Sequence, residues 1–140
     1  MKLIRSFQRD HTILEKGIYV MREDFSDVFP ILTYDIRMKA PYRDVPLRPE
    51  TAHTLEHFLA TYLRNTRNDI IYVGPMGCLT GFYVVVAGQT DIRESLVDAL
   101  EWIKTQKSVP GSSPEQCGNY TFMDIEDAKS EAEAFLKVFL

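Results

Sequence analysis

Two histidines and a glutamate near the middle of the chain have the spacing of a metal site. Residues 53–57 read His-Thr-Leu-Glu-His, an order found on metal-binding helices that also carry a proton-transferring carboxylate. On an α-helix His53 and His57 lie about one turn apart, and Glu56 projects from the same side. The pattern therefore predicts one divalent metal ion on the two imidazoles, with Glu56 available to move protons.

Two imidazoles do not complete such a site, so a third ligand has to come from elsewhere in the chain. The candidates are a carboxylate and the two thiols, Cys78 and Cys117. Cys117 follows a proline-rich loop, residues 110–114, that could carry a thiolate back to the helix face. Cys78 follows Gly77 in a turn sequence, where it fits a small apolar filler as well as a reactive thiol. At this point both thiols remain candidates for chemistry.

Composition limits the kinds of partner. The chain has 140 residues, 45% hydrophobic and 26% charged, which predicts one globular domain over residues 1–140. Its net charge of −4 argues against nucleic acid and against anionic membranes, since both select an excess of Lys and Arg. No stretch is long and apolar enough for a membrane span or a signal peptide. We therefore expect a cytosolic protein with a small molecule or a protein as its ligand.

The elements that position these residues follow an α+β pattern. Strands are predicted where β-branched and aromatic residues gather, over residues 17–21, 31–38, 69–73 and 81–87, with a turn-rich segment at residues 23–30. Helices are predicted from Pro49 to about Asn65, from a capping pair at Asp91 and Glu94 to near Lys107, and over residues 125–140. The first helix would carry an apolar face opposite the two histidines, formed by Leu55, Phe58, Leu59 and Tyr62.

Five short strings occur in a fixed order over nearly the whole chain. They are SFQRDHT at 6–12, YDIR at 34–37, HTLEH at 53–57, PMGC and TGFY within 75–83, and CGNY at 117–120. Together they resemble the S-ribosylhomocysteine lyases of bacteria, the LuxS family. All three histidines and both cysteines lie within these strings. The resemblance implies a single-domain α+β fold in which an antiparallel sheet of about four to five strands packs against helices, one of them bearing the HxxEH motif.

The resemblance also implies a metal and two proton carriers. Its metal ligands correspond to His53, His57 and Cys117. One divalent ion per subunit is implied, Fe(II) in the cell and zinc or cobalt as substitutes in isolated protein. Cys78 and Glu56 correspond to the residues that move protons.

The implied substrate is S-ribosylhomocysteine. A sugar carbonyl migrates along the ribose chain through enediolates, and homocysteine is then eliminated, which leaves 4,5-dihydroxy-2,3-pentanedione. Each migration removes a proton from a carbon beside a carbonyl, which explains the need for positioned bases and a Lewis acid. Ser6, His11 and Arg37 correspond to substrate contacts, in a pocket shared between the two subunits of a homodimer.

Several positions depart from the family pattern near the substrate. Leu79 stands where an arginine usually follows the cysteine, so a cation that would favour a thiolate is missing. Tyr72 and Gly74 replace an aspartate and a serine, a Q-P-N string becomes Ala40-Pro41-Tyr42, and the R-D-H-D after CGNY becomes Thr121-Phe122-Met123-Asp124. These changes predict a divergent member that takes S-ribosylhomocysteine or a close analogue, or that only binds a metal or ligand without turnover.

A metallopeptidase is the alternative class, because HxxEH also marks peptidases whose third ligand is a distant glutamate. Glu131 or Glu133 could be that ligand. Both lie in a uniformly acidic amphipathic segment, which is typical of a solvated helix face. This alternative also leaves Cys78 and Cys117 without a role, so the sequence favours the lyase.

Overall fold

A computed structural model describes residues 1–140, whose contacts fall into two compact units. The first comprises Met1–Leu47 and Asp69–Thr90, and the second comprises Arg48–Asn68 and Asp91–Leu140. All four strands belong to the first unit, and the three α-helices belong to the second. The α+β class is confirmed. The assignment of residues 1–140 to one domain stays a prediction.

The first unit contains one antiparallel sheet. Its strands are β1 (Gly17–Phe25), β2 (Pro30–Arg37), β3 (Ile70–Pro75) and β4 (Gly81–Ala87), in the spatial order β1-β2-β4-β3. Along β4 the buried residues Phe82, Val84 and Val86 alternate with partly exposed neighbours, as the two-residue period of a strand requires. The predicted antiparallel sheet of about four to five strands is thus confirmed with four.

The turn predicted over residues 23–30 is shorter than expected. Strand β1 continues to Phe25, with Glu23 opposite Leu32 and Asp24 opposite Ile31. The turn itself is closed by Ser26, whose backbone N–H donates to the Phe29 carbonyl. The prediction was wrong here because β1 lies at the edge of the sheet, where charged side chains reach solvent and do not interrupt pairing.

The second unit contains three helices, and the first of them bears the histidine motif. Helix α1 (Pro49–Thr66) begins at the predicted proline, and Leu55, Phe58 and Leu59 on its apolar face are buried. Helix α2 is Arg93–Lys104, and α3 is Ile125–Leu136, followed by a 3₁₀ turn at Lys137–Phe139. None of these helices has both the length and the apolar character that crossing a membrane requires.

The predicted capping pair at the start of α2 is not formed. The N-cap residue is Ile92, which makes no side-chain cap. The Asp91 carboxylate instead accepts the Arg93 backbone N–H, so it closes a local turn before the helix begins. The helix also ends earlier than predicted, because the Thr105 N–H bonds the Trp102 carbonyl in a tighter, 3₁₀-type turn.

Candidate metal centre and thiol cavity

The two histidines of the motif and Cys117 come together in the second unit. The ligand atoms of His53, His57 and Cys117 lie within 4.8 Å of one another, and Cys117 Sγ is 3.4 Å from His53 Nε2. The two imidazole rings meet edge to face, with centroids 4.7 Å apart. Two nitrogens and one sulfur are a common donor set for a divalent metal that keeps one position open.

Backbone carbonyls orient both imidazoles. His53 Nδ1 lies 2.7 Å from the Phe122 carbonyl oxygen, and His57 Nδ1 lies 2.8 Å from that of Pro110. Because a carbonyl only accepts, each Nδ1 carries the proton and donates it. The lone pair of each Nε2 is then available to a metal, in the arrangement that ligating histidines usually have. The residues present therefore fit a divalent ion.

Gly111 leaves space for the His57 imidazole, which donates to the carbonyl of the preceding residue, Pro110. Its backbone has φ +73°, and a Cβ at this position would lie 3.0 Å from His57 Nδ1. A side chain would be strained here and would also press on the imidazole. Sequence reasoning did not identify Gly111 as part of the site, although the Pro110-Gly111 pair signals a special turn.

Buried hydroxyls within α1 hold the segment that leads from Cys117 to α3. Thr54 Oγ1 accepts the Asp124 backbone N–H at 2.9 Å and donates to the Glu50 carbonyl at 2.7 Å. Thr51 Oγ1 donates to Asp127 Oδ2 at 2.5 Å, and both threonines are fully buried. Thr54 lies inside the HTLEH string, but nothing in its spacing indicated this anchoring role.

Asp124 is the N-cap of α3. Its carboxylate accepts the Asp127 backbone N–H, and Arg48 donates to the other carboxylate oxygen at 2.8 Å. The Asp127 N–H, and after it the Arg48 guanidinium, lower the pKa of the Asp124 carboxyl. The cap is therefore charged at neutral pH, where a negative group at a helix N-terminus is stabilising.

Glu56 lies beside the ligand atoms. Its Oε2 is 3.8 Å from His57 Nε2, and its side chain is half-buried. A carboxylate in this place can exchange protons with a molecule bound at the open metal position. Glu131 and Glu133, the ligands of the peptidase alternative, do not belong to the cluster of His53, His57 and Cys117, and nothing observed favours that alternative.

Cys78 belongs to the first unit and lies on a tight turn between β3 and β4. The Leu79 N–H bonds the Met76 carbonyl, and Leu79 adopts a left-handed backbone with φ +61°. This turn leaves the Cys78 side chain exposed. The thiol is therefore accessible to a ligand and does not fill the core.

The three predicted substrate contacts surround the same thiol. Ser6, His11 and Arg37 line a cavity of about 470 Å³ together with Cys78. His11 and Cys78 also line a neighbouring cavity of about 310 Å³, on whose wall Tyr42 lies. Ser6 and His11 come from the amino-terminal segment, Arg37 from the end of β2, and Cys78 from the turn between β3 and β4.

Arg37 is almost completely buried, and its polar atoms are bonded within the protein. Its Nε and one terminal nitrogen donate to the two carboxylate oxygens of Asp35, at 3.1 and 2.6 Å. The other terminal nitrogen donates to Thr80 Oγ1 at 2.7 Å. Arg9 also donates to Asp35, at 3.2 Å. Arg37 reaches the cavity wall as part of this network, and a direct contact with substrate stays a prediction.

Two of the departures from the family pattern are neighbours. A Cβ on Gly74 would overlap the ring and hydroxyl of Tyr72. A side chain at position 74 would thus displace the exposed Tyr72 ring from its present place, so the two replacements meet in space. Tyr42, another departure, is exposed and has φ +65°, a conformation that asparagine tolerates more easily than tyrosine.

Comparison with known proteins gives the same family over the whole chain. A family model described as S-ribosylhomocysteinase (LuxS) matches residues 4–140. The S-ribosylhomocysteine lyase of Borreliella burgdorferi ZS7 is 40% identical, over 99% of this chain and 92% of its own. The enzyme of Porphyromonas gingivalis W83 is 42% identical, over 100% of this chain and 92% of its own. That of Phocaeicola vulgatus is 43% identical, over 97% of this chain and 89% of its own.

Proposed function

The chain belongs to the LuxS family, and on that premise we propose that it is a carbon–sulfur lyase. It cleaves the thioether of S-ribosylhomocysteine to homocysteine and 4,5-dihydroxy-2,3-pentanedione, by carbonyl migration and β-elimination. The observation that carries this function is the cluster of His53, His57 and Cys117, in which both imidazoles present Nε2. No observation favours a peptidase or a purely ligand-binding protein.

One divalent metal per subunit is the cofactor, held by His53, His57 and Cys117. Fe(II) is the ion expected in the cell, and zinc or cobalt replaces it in isolated protein. When bound, the ion supplies a Lewis acid that favours negative charge on a substrate oxygen. The Asn119 backbone N–H donates to Cys117 Sγ at 3.4 Å, which helps to hold the sulfur in place.

The chain's own residues move the protons. Cys78, as thiolate, takes a proton from the carbon beside the carbonyl, and the sugar passes to an enediolate. Glu56 carries protons between the oxygens of that enediolate and to the departing homocysteine sulfur. The exposure of Cys78 on a cavity and the position of Glu56 beside His57 support these roles.

Ser6, His11 and Arg37 form the substrate-binding wall in this proposal. The cavity they share with Cys78 has a volume in the range of small-molecule sites. Since Asp35 and Thr80 already bond the Arg37 guanidinium, Ser6 and His11 are the more direct contacts.

The active form is a homodimer with shared pockets, as the resemblance implies. Exposed apolar side chains in the amino-terminal segment, Leu3, Ile4, Phe7 and Ile13, support a protein–protein surface there. Light scattering on the purified protein checks the mass, and a monomer would contradict this part of the proposal. The two free cysteines support a cytosolic location.

The decisive test is release of a thiol from S-ribosylhomocysteine. The protein is purified without oxygen, loaded with Fe(II), and followed with a thiol reagent against a substrate-free blank. C78A and E56Q are expected to lose roughly 10²–10⁴-fold in turnover while retaining their metal, since neither side chain is a ligand. Homocysteine release by the wild-type chain no faster than by C78A would contradict the proposed function.

A further inference from the structure

We propose that Thr80 is a positioning residue that stabilises the Cys78 thiolate. Its hydroxyl donates a hydrogen bond to Cys78 Sγ, in an orientation that Arg37 imposes. The inference rests on the proposed function, in which Cys78 acts as a base. It adds a residue that acts on the substrate only through the Cys78 sulfur.

The direction of the bond follows from the groups that can donate. A guanidinium has only donors, so Thr80 Oγ1 accepts from Arg37 at 2.7 Å. The single hydroxyl proton of Thr80 then points away from Arg37. Cys78 Sγ is 3.0 Å from the same oxygen and can accept that proton. When Cys78 is ionised its sulfur can only accept, so the donors then run from Arg37 through Thr80 to the sulfur.

Arg37 is fixed in this arrangement from behind. Its buried guanidinium is paired with Asp35 through two hydrogen bonds, and Arg9 donates to the same carboxylate. Two arginines and one aspartate leave one net positive charge next to the hydroxyl. Arg37 and Asp35 are buried, so water screens the Arg37 charge little, whereas Arg9 is partly exposed. Both the rigid geometry and the charge favour negative charge on the sulfur.

This arrangement supports a thiolate without the arginine that usually follows the cysteine in the family. Leu79 follows Cys78 directly and provides no charge or donor. Thr80 is nearly buried while Cys78 is exposed, so the sulfur contacts solvent on one side and a fixed donor on the other. A hydrogen bond to an ionised acceptor is about twice as strong as a neutral one.

The test measures the thiolate directly. Metal-loaded wild type, T80V and T80S are alkylated with iodoacetamide across a pH series, and modification of the Cys78 peptide is quantified by mass spectrometry. T80V keeps the branched shape but has no hydroxyl, whereas T80S keeps the hydroxyl. We expect the midpoint of the T80V profile to lie about one to two pH units above that of the wild type. T80S should lie close to the wild type.

Turnover gives a second readout that a merely structural role would not reproduce. T80V should turn over S-ribosylhomocysteine about tenfold or more slowly at neutral pH, with the loss recovered as the pH rises and the thiolate forms. A T80V alkylation midpoint equal to that of the wild type would overturn the proposal. So would a T80S profile that follows T80V, because packing and not the hydroxyl would then be responsible.

T80V leaves one Arg37 nitrogen without its acceptor, so its folding is checked by thermal melting. If T80V does not fold, T80A, which leaves space for water near Arg37, is compared with T80S by the same criteria. Alkylation needs no substrate, so the two proposals can fail separately. A wild type without turnover but with the expected T80V midpoint would contradict the lyase and retain the role of Thr80.

Discussion

The ligand-bearing unit, which contains His53, His57 and Cys117, and the thiol-bearing unit, which contains Cys78, hold their reactive groups by different means. In the first case, His53 and His57 are oriented by the backbone carbonyls of Phe122 and Pro110. In the second case, Cys78 is an exposed side chain whose sulfur contacts another side chain, Thr80. A backbone carbonyl can keep its contact when the side chain of its own residue is replaced. A side-chain contact is lost or altered when one of its two residues is replaced.

The departures from the family pattern occur in both units. The replacements at Leu79 and Tyr72 lie in the thiol-bearing unit. The change of R-D-H-D to Thr121-Phe122-Met123-Asp124 lies in the ligand-bearing unit, where the contact to His53 uses the backbone carbonyl of Phe122 and not its side chain. Tyr72 and Gly74 are neighbours in space, because the Tyr72 ring lies where a Cβ of residue 74 would be. The orientation of His53 therefore does not depend on the side chain at position 122, whereas a replacement beside Cys78 changes the groups near its sulfur.

Replacing one histidine in each unit is the strongest test of the difference between them. H57A removes one of three ligands, so metal content should fall from one ion per chain to near zero after dialysis, and turnover should be lost with it. H11A is the matched control in the thiol-bearing unit, and it should keep a full complement of metal. Metal is measured by mass spectrometry of the digested protein. Loss of metal from H11A would contradict the division between the units.

Gly111 tests whether the imidazole orientation matters as much as the ligands. G111A places a Cβ 3.0 Å from His57 Nδ1 on a backbone with φ +73°. We expect metal affinity to fall by roughly 10–100-fold, as for other disturbances around a ligating histidine. Competition with a chelator measures it. G118A is the matched control, since a Cβ there meets nothing within 4 Å, and an equal loss in both variants would exclude the proposed cause.

The sequence predicted the order of the elements and the three residues that form the cluster, but not the groups that hold those residues in place. The spacing of His53 and His57 predicts a shared helix face because the helix period is fixed. The strings at residues 75–83 and 117–120 identified both cysteines. The carbonyls of Phe122 and Pro110 could not be predicted, because backbone acceptors carry no sequence signal.

The same limit applied within the elements themselves. The Asp91 and Glu94 pair matched a capping pattern, yet the side chain of Asp91 found a nearer N–H, that of Arg93. Several geometries satisfy one polar side chain, and the pattern alone does not choose between them. The edge position of β1, which allowed Glu23 and Asp24 to remain in the strand, depends on sheet order and is likewise a tertiary property.

Within the HTLEH motif, the buried Thr54 side chain connects α1 to the start of α3 by a hydrogen bond from the Asp124 backbone N–H. T54V keeps the branched shape but leaves the Asp124 backbone N–H without its acceptor. We expect a loss of about 1–3 kcal/mol in the free energy of unfolding, the usual penalty for an unsatisfied buried donor. Urea unfolding of metal-free protein measures it. T54S should lose less than T54V, and equal losses would mean that packing, not the hydroxyl, is responsible.

The smallest expected effect concerns the charge on Asp124. It measures how much a side-chain charge contributes to the free energy of unfolding of the ligand-bearing unit. The Asp127 N–H and Arg48 lower the pKa of this carboxyl in the folded state. Its contribution is therefore complete above the unfolded value of about 3.9 and is lost as the pH falls through the lower folded value. D124N keeps an oxygen for the Asp127 N–H but loses the attraction to Arg48.

At pH 7 we expect D124N to be less stable than the wild type by less than about 1 kcal/mol, because the ion pair with Arg48 is partly exposed to solvent. The difference should shrink below about pH 4 and vanish when the wild-type carboxyl is protonated as well. Urea unfolding of both proteins at pH 7, 4 and 3 measures it. A difference in stability that grows in acid would contradict the expected pH dependence. D124A also loses the helix cap, so its free energy of unfolding should be about 1 kcal/mol lower than that of D124N at pH 7.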